Sequence, residues 1–229
     1  MELQALIDEA RHQLGDESVP FLWSNDALLK YAVDAQDMYV RLTGGIPDSR
    51  TVALTEVAVV ENEPYSDHSP YILRIRSGKL LTAKRPVKFL QEADLQSMPV
   101  QDYGITFPQW LDDTVVGEVR AGILGVEKNA IRWYRVPNAD DTCQLNILRL
   151  PYPRITDTDG CLEIDEQHHL HLVMWMKHLA YSKEDGETYD EKLAATNKEA
   201  FERYCAMAKV EEERQRYRPR VTQYGGIPW

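Results

Sequence analysis

Four histidines in the C-terminal half invite a metal. His168, His169 and His171 fall close together, and His178 follows. On a helix, His168 and His171 would share a face with an acid such as Asp165, a set that could ligate zinc. His169 falls on another face, and no HExxH or comparable pattern is present. Histidines at a helix start are usually surface or interface residues, so no metal is expected. Asp157-Thr158-Asp159-Gly160 has the composition of a calcium loop but lacks its spacing and closing bidentate Glu. No P-loop, GxGxxG, GxSxG or CxxC occurs, and Ser, His and Asp fall in no recognisable catalytic motif. Cys143, Cys161 and Cys205 are too widely spaced for a zinc pattern or a disulfide framework. They read as reduced, part-buried small apolar residues. No constellation argues for an enzyme or a cofactor.

Charge points elsewhere. The chain of 229 residues carries −11. Its last sixteen residues hold Arg214, Arg216, Arg218 and Arg220 and no acid, so the preceding 213 carry −15. An acidic body does not grip nucleic acid, because phosphate neutralisation needs clustered bases. It suits a wall that DNA slides past. The arginines alternate, so an extended segment would place them on one face. The tail ends through Val221, Tyr224, Ile227, Pro228 and Trp229, apolar residues that suit a partner better than water. We expect an extended arm over 214–229 that orders on binding, with Arg214, Arg216, Arg218, Arg220, Tyr224, Ile227 and Trp229 as its contact residues. Two weaker patches are the run Phe107-Pro108-Gln109-Trp110, expected to anchor a loop on a β core, and the bases Lys79, Lys84, Arg85 and Lys88, expected on a solvated strand face.

The elements behind these residues follow from periodicity. Leu3, Leu6, Ile7, Ala10 and Leu14 mark a first helix, broken by Gly15 and Pro20. Ser24 is a candidate N-cap and Asp26 suits the first turn of a second helix running to about Leu42. Its apolar stripe is Leu28, Ala32 or Tyr31, Ala35, Tyr39 and Leu42, and Gly44-Gly45 ends it. The middle is β-rich: Thr51–Val60, Tyr71–Arg76, Val115–Leu124, Ala130–Val136 and Gln144–Leu150, with a short helix around Gln91–Met98. Turns between such strands predict an antiparallel sandwich or small barrel. A third helix from Asp165 to Ser182 is apolar nearly all round, which predicts burial on several sides and a possible subunit contact. Thr188-Tyr189-Asp190-Glu191 matches a capping box for a fourth helix to Glu213, with Leu193, Ala200, Phe201, Tyr204, Met207 and Ala208 buried. The fold class is α+β: a helical bundle (1–48 and 162–213) with an inserted antiparallel β-sandwich or barrel-like domain (49–161). No stretch is long and apolar enough to span a membrane. Met1–Gln4 shows no signal-peptide pattern, so a cytoplasm-like compartment is expected.

The order of these elements resembles the head-to-tail adaptor proteins of tailed bacteriophages, the group related to tail tubular protein A of short-tailed phages. Leu3-Gln4-Ala5-Leu6-Ile7-Asp8-Glu9-Ala10-Arg11 is similar to the group's first helix, and Trp23-Ser24-Asn25-Asp26-Ala27-Leu28-Leu29-Lys30-Tyr31-Ala32, continuing through Asp34-Ala35-Gln36, to its second. Ile131-Arg132-Trp133-Tyr134 with Pro137, and Leu148-Arg149-Leu150-Pro151, resemble two strand endings. Ile164-Asp165-Glu166-Gln167-His168-His169 and Ala180-Tyr181-Ser182-Lys183-Glu184-Asp185 resemble the bounds of the third helix. The likeness covers about residues 3–208. It departs at Asp165, where the group has proline, and at Gly122–Gly125, which reads as an irregular strand.

The resemblance implies a structural virion protein without catalysis. Such proteins form a ring, commonly of about twelve copies, on the portal vertex of the head. The ring extends the DNA channel and seats the tail or nozzle. Portal protein, tail or nozzle protein and further copies of the chain are the implied partners. The chain is made in the host cytoplasm, and DNA passes through without sequence-specific contact. Two other classes remain open: a DNA-binding regulator using the basic tail, and a metal-dependent hydrolase using His168 and His171.

Overall fold

The computed structural model describes residues 2–95, 111–183 and 188–216, with side chains as far as Arg214. The chain divides into two compact units, one of Met1–Gly44 with Pro153–Trp229 and one of Gly45–Tyr152. With helices at both ends and a β-rich middle, the fold is α+β.

The first unit is built on four helices: α1 (Leu3–Leu14), α2 (Asn25–Thr43), α5 (His169–Tyr181) and α6 (Glu191–Arg216), numbered to leave α3 and α4 to the middle. Helix α1 stops at Gly15, whose left-handed φ of 71° suits a residue without Cβ. Helix α2 starts as its sequence dictates. The Ser24 Oγ accepts the Ala27 N–H, Asp26 lies in the first turn, and Gly44 closes the helix in the left-handed region. Its buried face holds Leu28, Ala32, Val33, Ala35, Gln36, Tyr39, Val40 and Thr43; Leu42 is exposed rather than part of the stripe. The predicted third helix begins as a 3-10 turn over Glu166–His168 before α5 proper. Helix α5 packs against α1, α2 and α6, which is why almost none of its middle is polar.

The N-cap of α6 is Asp190 rather than Thr188. The Asp190 carboxylate accepts the Leu193 N–H at 2.9 Å, and its carbonyl accepts the Ala194 N–H. A carboxylate on the residue directly before the helix meets these donors better than a threonine two residues upstream. Of the predicted stripe, Phe201 and Ala208 are buried, together with Ala194 and Cys205, whereas Leu193 and Met207 face solvent. The helix also runs three residues beyond its expected end at Glu213.

The second unit holds β1 (Ile46–Asp48), α3 (Val52–Thr55), β2 (Glu56–Val59), β3 (Tyr65–Asp67), β4 (Ile72–Leu80), β5 (Pro86–Gln91), α4 (Glu92–Leu95), β6 (Val116–Gly117), β7 (Ala121–Leu124), β8 (Ala130–Tyr134), β9 (Val136–Pro137) and β10 (Asp141–Arg149). The predicted strand over Thr51–Val60 is half helix: Thr51 carbonyl bonds to Leu54 and Thr55 turn its first part into α3. The expected strand from Val115 to Leu124 is two pieces, β6 and β7.

Eight strands form one curled sheet in the order β1-β10-β4-β5-β7-β8-β3, with β2 also beside β10; β6 and β9 pair separately. All its pairs are antiparallel except β5 with β7. The sequence led us to expect antiparallel pairing throughout. The parallel pair is permitted by the long crossover between these strands, since a hairpin could not make it. Irregular register between β10 and β4 at Asn146/Ile147 and Leu148/Arg149 bends the sheet. The curl brings β2 back toward β3, where the Ser66 hydroxyl donates to the Ala58 carbonyl at 2.5 Å and accepts from the Trp133 indole N–H at 2.7 Å.

Inside lies one apolar core that includes Val57, Val59, Ile75, Val87, Ile131, Trp133, Leu145 and Ile147. Leu90, Ala121, Ile123 and Tyr134 form a second, smaller cluster. Gly122 is part of a regular strand, not an irregular one. A Cβ there would sit 2.6 Å from the Phe89 ring, and one at Gly78 would sit 2.9 Å from it. The two glycines make room for that ring.

Candidate functional site

The histidines are engaged in packing α5. The amide of Gln167 donates to His168 Nε2 at 3.2 Å, so Nδ1 carries the proton and donates to the Tyr204 hydroxyl at 2.8 Å. The Tyr39 ring lies 5.0 Å from His168, and His171 stacks on Tyr204 at 3.6 Å. His169 Nε2 donates to the Ile164 carbonyl and His178 Nδ1 to the Ala194 carbonyl. Burial pushes the His168 imidazole below its ordinary value, against the pull of Asp165, and burial lowers His171 too. Neutral rings suit an aromatic seam between helices. Among the described residues, no three His, Cys, Asp or Glu side chains are placed to hold a metal ion. Asp157 instead forms a turn, its carbonyl accepting the Gly160 N–H.

Two buried ion pairs fix local geometry, one in each unit. In the helical unit, Arg11 reaches Asp16 at 2.6 Å, and both side chains are almost fully buried. Arg11 also donates to the Trp23 carbonyl at 2.8 Å and to Asn25 Oδ1 at 2.7 Å. Asp16 accepts the N–H groups of Leu22 and Trp23. The guanidinium lies 4.0 Å over the Phe21 ring. These bonds tie the base of the α1–α2 loop and leave its tip, Val19, Phe21 and Leu22, 82%, 44% and 52% exposed. In the sequence, Gly15 and Pro20 stand out only as helix breakers. The signal missed was three large apolar residues outside any helical period.

In the β unit, Arg149 Nε donates to Asp48 Oδ2 at 2.5 Å where β1 meets β10. Burial alone would raise the Asp48 carboxyl. Hydrogen bonds from Thr51, the Arg50 N–H and Arg149 outweigh it and hold the group well below the usual carboxylate range.

Of the predicted contact residues, Arg214 lies exposed on α6, and Arg216 belongs to the same helix. The start of the segment is therefore helical and not the extended arm expected. Arg218, Arg220, Tyr224, Ile227 and Trp229 lie outside the described residues, as does Phe107–Trp110. Lys84 sits at the β4–β5 turn with a left-handed φ of 53°, and Arg85 pairs with Glu118, so part of the basic run closes a hairpin. No helix among the described residues is long and apolar enough to cross a membrane.

Large apolar side chains meet solvent at a second place in the helical unit. Met207 and Val210 lie on the side of α6 away from buried Ala194, Phe201, Cys205 and Ala208, and Met207 is 65% exposed. Helical, acidic and rich in exposed apolar contacts, the unit has the character of an assembly part. No curated protein matches the sequence. The family model of the SU10 adaptor protein matches residues 1–223, and the chain therefore belongs to that family of phage structural adaptors, which is not an enzyme family.

Proposed function

We propose that the chain forms a ring of about a dozen copies on the portal vertex of a phage head, in the manner of the adaptors related to tail tubular protein A. The ring extends the DNA channel and seats the tail or nozzle. The observation that carries this reading is the pair of separate exposed apolar patches on the helical unit, the Val19–Leu22 loop and the outer face of α6. A closed ring needs two unlike surfaces on each copy, because its contacts are heterologous. The net charge of −11 supports a channel wall that repels phosphate rather than holding it. The basic residues from Arg214 onward, followed by Tyr224, Ile227 and Trp229, fit an anchor on the portal or on a neighbouring copy.

Native mass spectrometry of the full chain, alone and mixed with its cognate portal ring, tests the reading. Portal-bound assemblies of about a dozen copies are expected. Absence of association across the whole salt range would overturn it.

A further inference from the structure

We propose that neighbouring copies meet knob into groove: the Val19–Leu22 loop of one copy seats in a groove along α2 of the next. This rests on the ring reading; it pairs the loop with the α2 groove and leaves the outer face of α6 to a further contact. The groove lies in the helical unit, has a volume of about 590 Å³, and is lined by Leu29, Val33 and Ile155 with Asp26, Lys30 and Arg154 around them. That size falls within the range of concave sites that bury several organic groups. The α2 residues Asp26, Leu29 and Lys30 recur at helical spacing on the side away from buried Leu28, Ala32, Ala35 and Tyr39, and Val33, itself almost fully buried, lies at the floor of the groove.

The knob is convex, apolar and already ordered. Asp16 holds the Leu22 and Trp23 N–H groups, and Arg11 holds the Trp23 carbonyl, so docking freezes little backbone. Charge agrees with the pairing. Exposed Glu17, paired with His12, flanks the knob, whereas Lys30 and Arg154 stand beside the groove with the acid Asp26 in its lining and Asp37 near Arg154. Knob and groove use different residues of the same unit, so each copy gives one and takes one. That is the condition for a heterologous chain of contacts.

Disulfide trapping tests the contact. Leu22→Cys and Lys30→Cys are each made in the full chain with Cys161→Ser, which removes the exposed native thiol. They are assembled separately and as a mixture with the cognate portal, then oxidised. Cross-linked pairs in the mixture and in neither variant alone are expected. Equal cross-linking by Leu22→Cys alone would show a symmetric contact and overturn the proposal. A bond from Lys30→Cys to the portal would show that a portal segment fills the groove, with the same result. Rings that form without any cross-link would overturn the knob-in-groove contact and leave the ring reading standing. An unmodified chain that stays monomeric with portal present would end both.

Discussion

At the scale of single residues, the two buried ion pairs make the sharpest predictions. Removing Asp16 leaves Arg11 charged and unpaired in a buried site. Asp16→Ala should therefore cost about 3–5 kcal/mol in urea unfolding. Asp48 gives a pH dependence. Its folded carboxyl titrates below the unfolded value of about 3.9, so the stabilisation is complete above that value and is lost as pH falls through the folded one. Acid titration of Asp48→Asn should show a flatter loss of stability below about pH 4 than the parent chain. An unchanged acid limb would remove Asp48 from the account. The lowered His168 and His171 act at milder pH. A ring kept neutral by burial stabilises above the unfolded value of about 6.5 and withdraws that support as pH falls. The thiols divide as well. Burial pushes Cys143 and Cys205 up to about 12, while Cys161 is exposed. An aromatic disulfide reagent at neutral pH should titrate Cys161 promptly and the other two only after unfolding.

Among the elements, what the sequence discloses depends on how local its cause is. Helix starts set by one side chain were legible: Ser24 caps α2 and Gly44 ends it as expected. The α6 cap was misplaced because Thr188 and Asp190 both offer the right chemistry, and only the course of the chain decides between them. Asp190→Ala should cost about 1 kcal/mol, by thermal unfolding. The α5 histidines could not be assigned from spacing, since their partners Tyr204, Ile164 and Ala194 come from other segments. The same holds for Gly122, whose meaning lies in Phe89 on the neighbouring strand. Gly122→Ala should destabilise the β unit by about 1–3 kcal/mol. The α+β class was legible because helical and alternating periods occupy different stretches. The parallel pairs, β5 with β7 and β6 with β9, were not, because periodicity carries no strand order. The α1–α2 loop was hidden for a related reason: apolar residues outside a period look like a connection until their exposure is known.

For the whole molecule, truncation separates the proposed C-terminal anchor from the body. Truncation after Glu213 removes Arg214, Arg216, Arg218 and Arg220 together with Tyr224, Ile227 and Trp229. Portal binding should be lost while far-UV circular dichroism stays close to that of the full chain; binding that survives the cut would exclude the arm as anchor. The curled sheet has a further consequence. In the proposed ring, many identical copies would reach high local concentration during assembly, where unpaired strand edges could template runaway fibres. Here β2 and β3 are drawn together through Ser66, its hydroxyl bonded to Ala58 and its oxygen capped by Trp133. The seam covers the facing sides of β2 and β3. Crowded copies are left to recognise one another through side chains, and growth by backbone pairing, which has no natural stopping point, is suppressed.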